Sequence, residues 1–65
     1  MTVRELLLTK RINMDIKFNL QGYVFDTRYQ SNEEILYNLN IMGLADVVVD
    51  QIEIEDLHTL EVYSF

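Results

Sequence analysis

Cysteine is missing from this 65-residue sequence, and its absence excludes several kinds of chemistry at once. Without thiols the chain has no disulfide framework, no thiolate zinc site and no thiol nucleophile. The same absence fits a reducing compartment, so we expect a cytoplasmic protein. Proline is missing as well, and no linker or low-complexity stretch divides the chain. We therefore predict a single domain over residues 1–65.

Glycine and long apolar runs are also scarce. The two glycines, Gly22 and Gly43, cannot form a glycine-rich phosphate loop. No apolar run approaches the ~20 residues that a membrane helix needs. Arg4 and Glu5 precede only three leucines, which is too short an apolar stretch for a signal peptide. The hydrophobic content of 49% is that of a globular domain rather than a disordered tail, and we expect no membrane partner.

Basic residues are absent from the second half of the chain. All five Lys and Arg residues lie in residues 1–28 beside three acids, whereas residues 29–65 contain eight acids and no Lys or Arg. This balance disfavours direct binding to nucleic acid, because that affinity comes mainly from cations at phosphates. A basic partner protein is the natural complement.

No catalytic or metal-binding group of residues is evident, so we expect no cofactor. The single histidine, His58, falls in a predicted turn beside Asp56 without further ligands at metal-site spacing. We interpret it as a solvated turn residue. A chain of this length also has little room for a cleft that would shift the pKa values of its carboxyl groups.

Two helices are indicated by their capping patterns. The Thr-x-x-Glu pattern from Thr2 is a capping box and predicts a first helix at about residues 3–10. A Ser-x-x-Glu pattern from Ser31 predicts the start of a second helix, and Gly43 supplies its left-handed C-cap. Its apolar residues have helical spacing: Ile35, Leu36, Leu39 and Met42.

A first hairpin is predicted between the helices, with its turn at Gln21-Gly22. The apolar residues Met14, Ile16, Phe18 and Leu20 alternate with the polar residues Asn13, Asp15, Lys17 and Asn19. If Leu20 faces Tyr23, the apolar pairs are Phe18 with Phe25, Ile16 with Thr27 and Met14 with Tyr29. The charged pairs on the other face are then Lys17 with Asp26 and Asp15 with Arg28. A single register therefore gives apolar pairs on one face of the hairpin and opposite-charge pairs on the other.

A second hairpin is predicted over residues 47–65, with the three-residue loop Asp56-Leu57-His58. The apolar pairs are Ile54 with Leu60 and Ile52 with Val62. The other face pairs Glu55 with Thr59, Glu53 with Glu61, Gln51 with Tyr63 and Val49 with Phe65. A two-residue loop at Leu57-His58 would mix the two faces. The predicted fold is α+β, in the order α-β-β-α-β-β, with a four-stranded antiparallel sheet and two short helices on its apolar face.

One acidic sheet face stands out, because Glu53 opposite Glu61 is a destabilising like-charge pair. Either the acids only keep a small protein soluble, or they form a docking surface. The apolar residues of the same face could anchor a partner or a second copy, unless Phe65 folds over the sheet edge. The candidate partner-binding residues are Glu53, Glu55, Glu61, Tyr63, Phe65 and Val49.

The chain resembles the small acidic proteins of bacteriophages and other bacterial mobile elements. The resemblance consists of the short length, the acidic balance, the lack of cysteine and the opening Thr2-Val3-Arg4-Glu5-Leu6-Leu7. These proteins include anti-CRISPRs and other inhibitors of host nucleic-acid enzymes. The resemblance contains no diagnostic motif and transfers no functional residue.

Two functions are therefore expected from the sequence. The first is a non-enzymatic inhibitor or modulator that docks its acidic sheet face on a basic, nucleic-acid-handling host protein. The alternative is a structural or assembly protein that associates with itself through Val49, Tyr63 and Phe65. An enzyme would need a pocket that the sequence does not indicate.

Overall fold

The computed structural model describes residues 1–9 and 14–65. The elements follow in the order α1 (Val3–Leu8), β1 (Asp15–Leu20), β2 (Tyr23–Asp26), α2 (Asn32–Met42), β3 (Gln51–Asp56) and β4 (Thr59–Ser64). The predicted α+β class is confirmed. The predicted end of the first helix at residue 10 and the strand position Asn13 lie outside the described residues.

Both helices begin at the residues that the sequence indicates. The Thr2 side chain accepts from the Glu5 N–H, and the Glu5 carboxylate accepts from the Thr2 N–H at 3.1 Å, which completes the capping box of α1. The Ser31 hydroxyl accepts from the Glu34 N–H at 3.1 Å at the start of α2. Carbonyls of Ala45 and Val47 accept from the first-turn N–H groups of α1, so these donors are satisfied.

Gly43 ends α2 in a left-handed conformation with φ of 74°, as predicted. A Cβ atom at this position would meet nothing within 4 Å, so only the backbone conformation opposes a side chain there. We expect Gly43→Ala to lower the free energy of unfolding by about 1–2 kcal/mol. Gly43→Asn, the control, should lose less because asparagine tolerates this conformation. Urea denaturation of the variants measures the difference, and an equal loss in both would contradict this explanation.

The first hairpin has the predicted register near its turn. Leu20 pairs with Tyr23, Phe18 with Phe25 and Lys17 with Asp26. Gln21 and Gly22 both have positive φ, 51° and 91°, as in a type I′ turn.

The predicted Asp15–Arg28 and Met14–Tyr29 pairs are wrong, because β2 ends at Asp26. There the Asp26 carboxylate accepts from the Arg28 N–H at 2.9 Å. The Asp26 carbonyl also accepts from the Tyr29 N–H. These bonds turn the chain out of the sheet. The Thr27 N–H still donates to the Ile16 carbonyl at 3.1 Å.

The second hairpin keeps the predicted register from Ile54 outward, including Glu53 opposite Glu61. Its loop differs from the prediction, because Asp56 pairs with Thr59 and the register shifts between Ile54 and Asp56. Only Leu57 and His58 form the turn. The predicted Glu55–Thr59 pair is therefore wrong. A bulge at Glu55 lets a two-residue turn coexist with separate apolar and polar faces.

The sheet is mixed, so the prediction of a fully antiparallel sheet is wrong. Its strand order is β2-β1-β4-β3, and β1 and β4 are parallel. The 11 residues of α2 rise about 16 Å, roughly the length of a five-residue strand. The helix therefore returns the chain to the end of the sheet where β2 began, and β3 runs parallel to β2 at the opposite edge.

The core lies between the helices and one face of the sheet. Phe18 and Leu20 of β1 and Val62 of β4 are fully buried there, which explains why these two strands occupy the centre. Among residues 1–9 and 14–65, the other buried apolar side chains are Val3, Leu6, Leu7, Ile16, Phe25, Ile35, Leu39, Leu44 and Ala45. The alternate residues of the strands consequently lie on the opposite side of the sheet.

Candidate functional site

The candidate site is the side of the sheet that is opposite to the helices, which we call the open face. By register, one row across the sheet contains Val24, Asn19, Tyr63 and Gln51, and the next contains Asp26, Lys17, Glu61 and Glu53. Asp15 and Thr59 follow in a third row. Paired residues in neighbouring strands direct their side chains to the same face. The pairing thus brings Glu53, Glu61 and Tyr63 together, as predicted.

The half of the open face around β1 and β2 contains two cations that form salt bridges with its carboxylates. Arg28 binds both carboxylate oxygens of Asp26, with Nη2 2.7 Å from Oδ2 and Nε 3.0 Å from Oδ1. These hydrogen bonds hold the pKa of Asp26 below its usual value and raise that of Arg28. The charge of the buried Asp26 carboxylate is therefore neutralised by the adjacent Arg28 guanidinium.

Glu55 also pairs with these cations, although the sequence analysis placed it among the free acids of the docking surface. Its carboxylate lies 3.2 Å from Arg28 Nη2 and 3.8 Å from Lys17 Nζ. Lys17 and Arg28 are thus part of the open face, and sequence reasoning missed this arrangement for Glu55.

The half of the open face around β3 and β4 holds the like-charge pair Glu53 and Glu61. The Glu61 carboxylate accepts from Asn19 Nδ2 at 3.2 Å and from the Tyr63 hydroxyl at 2.6 Å. Glu53 accepts from the Gln51 side-chain amide. Within residues 1–9 and 14–65, neither carboxylate has a salt bridge. Neutral donors therefore hold this pair, and Lys17, which lies beside Glu61 in the register, has its salt bridge with Glu55 instead.

An aromatic pair lies beside Glu53 and Glu61. The rings of Tyr63 and Phe65 stack with centroids 6.0 Å apart and planes inclined by 12°. The hydrogen bond to Glu61 is the main cause that raises the pKa of Tyr63 to about 12. Phe65 is 79% exposed, and its N–H donates to Asp50 Oδ2 at 2.8 Å. The ring therefore forms an exposed apolar surface beside the acids.

Val49 lies elsewhere, and its predicted place in the apolar strip is wrong. The side chain packs against the core cluster, and its N–H donates to the Met1 carbonyl at 2.9 Å. Pairing between the start of the chain and residues 45–49 holds Val49 there. Sequence periodicity extended from β3 could not anticipate this long-range contact.

His58 occupies the exposed turn between β3 and β4, as predicted. Its backbone N–H donates to Asp56 Oδ1 at 2.8 Å, which is a local turn bond. Across the described residues, no group of three or more His, Cys, Asp and Glu side chains is arranged to hold a metal ion. No helix in the same part of the chain has the length and apolar character to cross a membrane.

We expect the Asp26–Arg28 pair to make the free energy of unfolding depend on pH in the acid range. A carboxyl group whose pKa is lower in the folded chain stabilises the fold above its unfolded pKa of about 3.9. That contribution is lost as the pH falls through the folded pKa. We expect Asp26→Asn to be less stable than the wild type at pH 7, and the gap to narrow as the pH falls below about 4.

Urea denaturation at several pH values tests this expectation. The control is the same substitution in an Arg28→Gln background, where its effect should be smaller because the partner is gone. A gap between wild type and Asp26→Asn that stays constant down to acid pH would contradict the assignment.

Comparison of the chain with protein-family models, with curated proteins and with solved structures found no match in any of the three.

Proposed function

We propose that this protein is a non-enzymatic binding protein whose open face docks on a basic partner protein. One observation carries the proposal: Glu53 and Glu61 lie directly opposite each other without a salt bridge among the described residues. The stacked Tyr63 and Phe65 adjoin them. The combination provides negative charge with an apolar anchor next to it.

The electrostatics favour a cationic partner. Like charges on directly opposed strand positions are destabilising, so an arriving Lys or Arg relieves repulsion that the free protein retains. Aromatic side chains contribute large apolar contact area at protein interfaces. The docking residues that we propose are Glu53, Glu61, Tyr63 and Phe65. Glu55 and Val49 are left out because their side chains already have partners within the fold.

The proposed partner is a basic protein that handles nucleic acid, and the proposed role is inhibition or modulation. A basic groove that binds phosphates is also complementary to closely spaced carboxylates. The excess of acids makes nucleic acid itself a poor ligand. The resemblance to small proteins of mobile elements agrees with a modulator of a host enzyme.

Affinity capture from a bacterial lysate with matched variants tests the proposal. Glu53→Gln/Glu61→Gln removes two charges from the open face, and Glu33→Gln/Glu34→Gln removes two from the start of α2. Both variants have the same net charge. We expect wild type and the α2 variant to capture one basic protein at low salt and release it at high salt. The open-face variant should capture at least about tenfold less, as loss of close charge pairs implies.

Two results would count against docking through the open face. One is capture that is equal in the two variants, because net charge alone would then explain it. The other is a captured protein that is acidic or that resists elution by salt.

A second candidate function is self-association through the stacked Tyr63–Phe65 pair, of which Phe65 is exposed. Mass measurement in solution across protein concentrations separates the two candidates. If the open face docks on a partner protein, we expect a monomer of 7.7 kDa at all concentrations. A dimer that Phe65→Asp dissociates, and that Tyr37→Asp on α2 leaves intact, would favour self-assembly.

A further inference from the structure

Strand β3 forms one edge of the sheet, and its six residues are all exposed. Every second residue of an edge strand directs its N–H and C=O groups away from the sheet, where another strand can pair with them. The other edge, β2, has only four residues. The chain turns at both of its ends, at Gln21-Gly22 and at Asp26. The longer free edge of the sheet is therefore β3.

The two sides of β3 differ in chemistry. Ile52 and Ile54 pair with Val62 and Leu60 on the helix side of the sheet, but they are 47% and 75% exposed. Glu53 lies between them on the open face. The edge therefore presents apolar side chains on one side, the Glu53 carboxylate on the other, and backbone hydrogen-bonding groups between them.

The charge of β3 decides which strand fits this edge. A second copy of β3 in antiparallel pairing would bring the acids of its Gln51–Asp56 segment close to those of the first copy, because opposed Cβ atoms lie about 4.5–5.5 Å apart. Like charges at that distance are unfavourable. A strand that alternates Lys or Arg with apolar residues places its cations beside Glu53 and its apolar side chains beside Ile52 and Ile54.

We propose that β3 binds an extended segment of the basic partner as a fifth strand, with alternating basic and apolar residues. Backbone hydrogen bonds would give affinity, and the alternation would give specificity, as in other cases of strand addition. The inference rests on the proposed function, since the added strand continues the open face on which the partner docks. It specifies the part of the partner that this edge recognises.

The test uses two synthetic peptides with capped ends and equal composition. One alternates, Lys-Val-Lys-Val-Lys-Val-Lys, and the other is permuted, Lys-Lys-Val-Val-Val-Lys-Lys. We expect the alternating peptide to bind about tenfold more tightly, and to slow amide hydrogen exchange at alternate residues of β3. Ile54→Thr should weaken this binding severalfold. Leu57→Thr, which changes an exposed apolar residue of the adjacent turn, should not.

The possible failures are distinguishable. Equal binding of the two peptides without protection of β3 overturns strand addition but leaves charge-driven docking intact. If neither peptide binds, strand addition is overturned. Docking through the open face is then tested separately by the capture experiment with Glu53→Gln/Glu61→Gln. A dimer that Ile54→Thr dissociates assigns the edge to a second copy and also overturns the inference.

Discussion

Replacing Phe18 with alanine is expected to remove a large part of the protein's free energy of unfolding at 25 °C. Phe18 is fully buried at the centre of the sheet, between β2 and β4. Truncating a buried phenylalanine to alanine removes about 3–5 kcal/mol of stability. A chain of 65 residues has a total free energy of unfolding of only about 3–10 kcal/mol. The loss is therefore a large fraction of the total free energy of unfolding.

Urea denaturation followed by circular dichroism measures this loss. Tyr37→Ala is the control, because Tyr37 is 67% exposed on α2. Substitutions at such surface positions usually change stability by no more than about 0.5 kcal/mol. A loss below about 1 kcal/mol for Phe18→Ala would contradict its assignment to the centre of the core.

Reversing one charge of the open face is expected to change stability and binding in opposite directions. Glu53→Lys converts the like-charge pair with Glu61 into an opposite-charge pair, which should stabilise the hairpin by about 0.2–1 kcal/mol. The same variant places a cation where the basic partner docks. We expect its affinity for that partner to fall at least about tenfold, or about 1.4 kcal/mol.

The neutral variant Glu53→Gln is the matched control, and it should lie between the wild type and Glu53→Lys in both properties. Denaturation measures stability, and titration calorimetry with the captured partner measures affinity. If Glu53→Lys gains stability and loses affinity, the free protein retains an unfavourable charge pair that contributes to binding. A destabilised Glu53→Lys variant with unchanged affinity would refute this interpretation.

Local sequence patterns predicted the two hairpins well. In the first, apolar and charged residues satisfy a single register, and the structure confirms Phe18 opposite Phe25 and Lys17 opposite Asp26. In the second, the same reasoning placed Glu53 opposite Glu61. Hairpin pairs are close in sequence, so the alternation of their side chains contains most of the information about register.

The arrangement of the hairpins in one sheet could not be predicted in the same way. The period-2 pattern of β1 and β4 indicates which side chains are buried, but not which strands are neighbours. Parallel pairing of Phe18 with Val62 joins residues far apart in the sequence. It depends on the path of α2 over the sheet. That path is a property of the whole chain rather than of any local segment.

The candidate site departs from the sequence prediction at residues whose contacts are irregular or distant. Glu55 lies at the bulge in β3 and contacts Arg28 and Lys17, which are distant from it in the sequence. Val49 is held at the core by Met1. The exposure of Ile54 follows from the edge position of its strand, although its spacing is that of a core residue. Neither bulge nor edge position is encoded by alternation alone.

The most direct test of docking through the open face is a map of amide chemical-shift changes in the labelled protein on addition of the captured partner. We expect the largest changes in Gln51–Asp56 and Thr59–Ser64, with Phe65 included, and little change along the exposed surface of Asn32–Met42. Changes confined to the two helices would contradict this expectation, because the partner would then occupy the opposite side of the sheet.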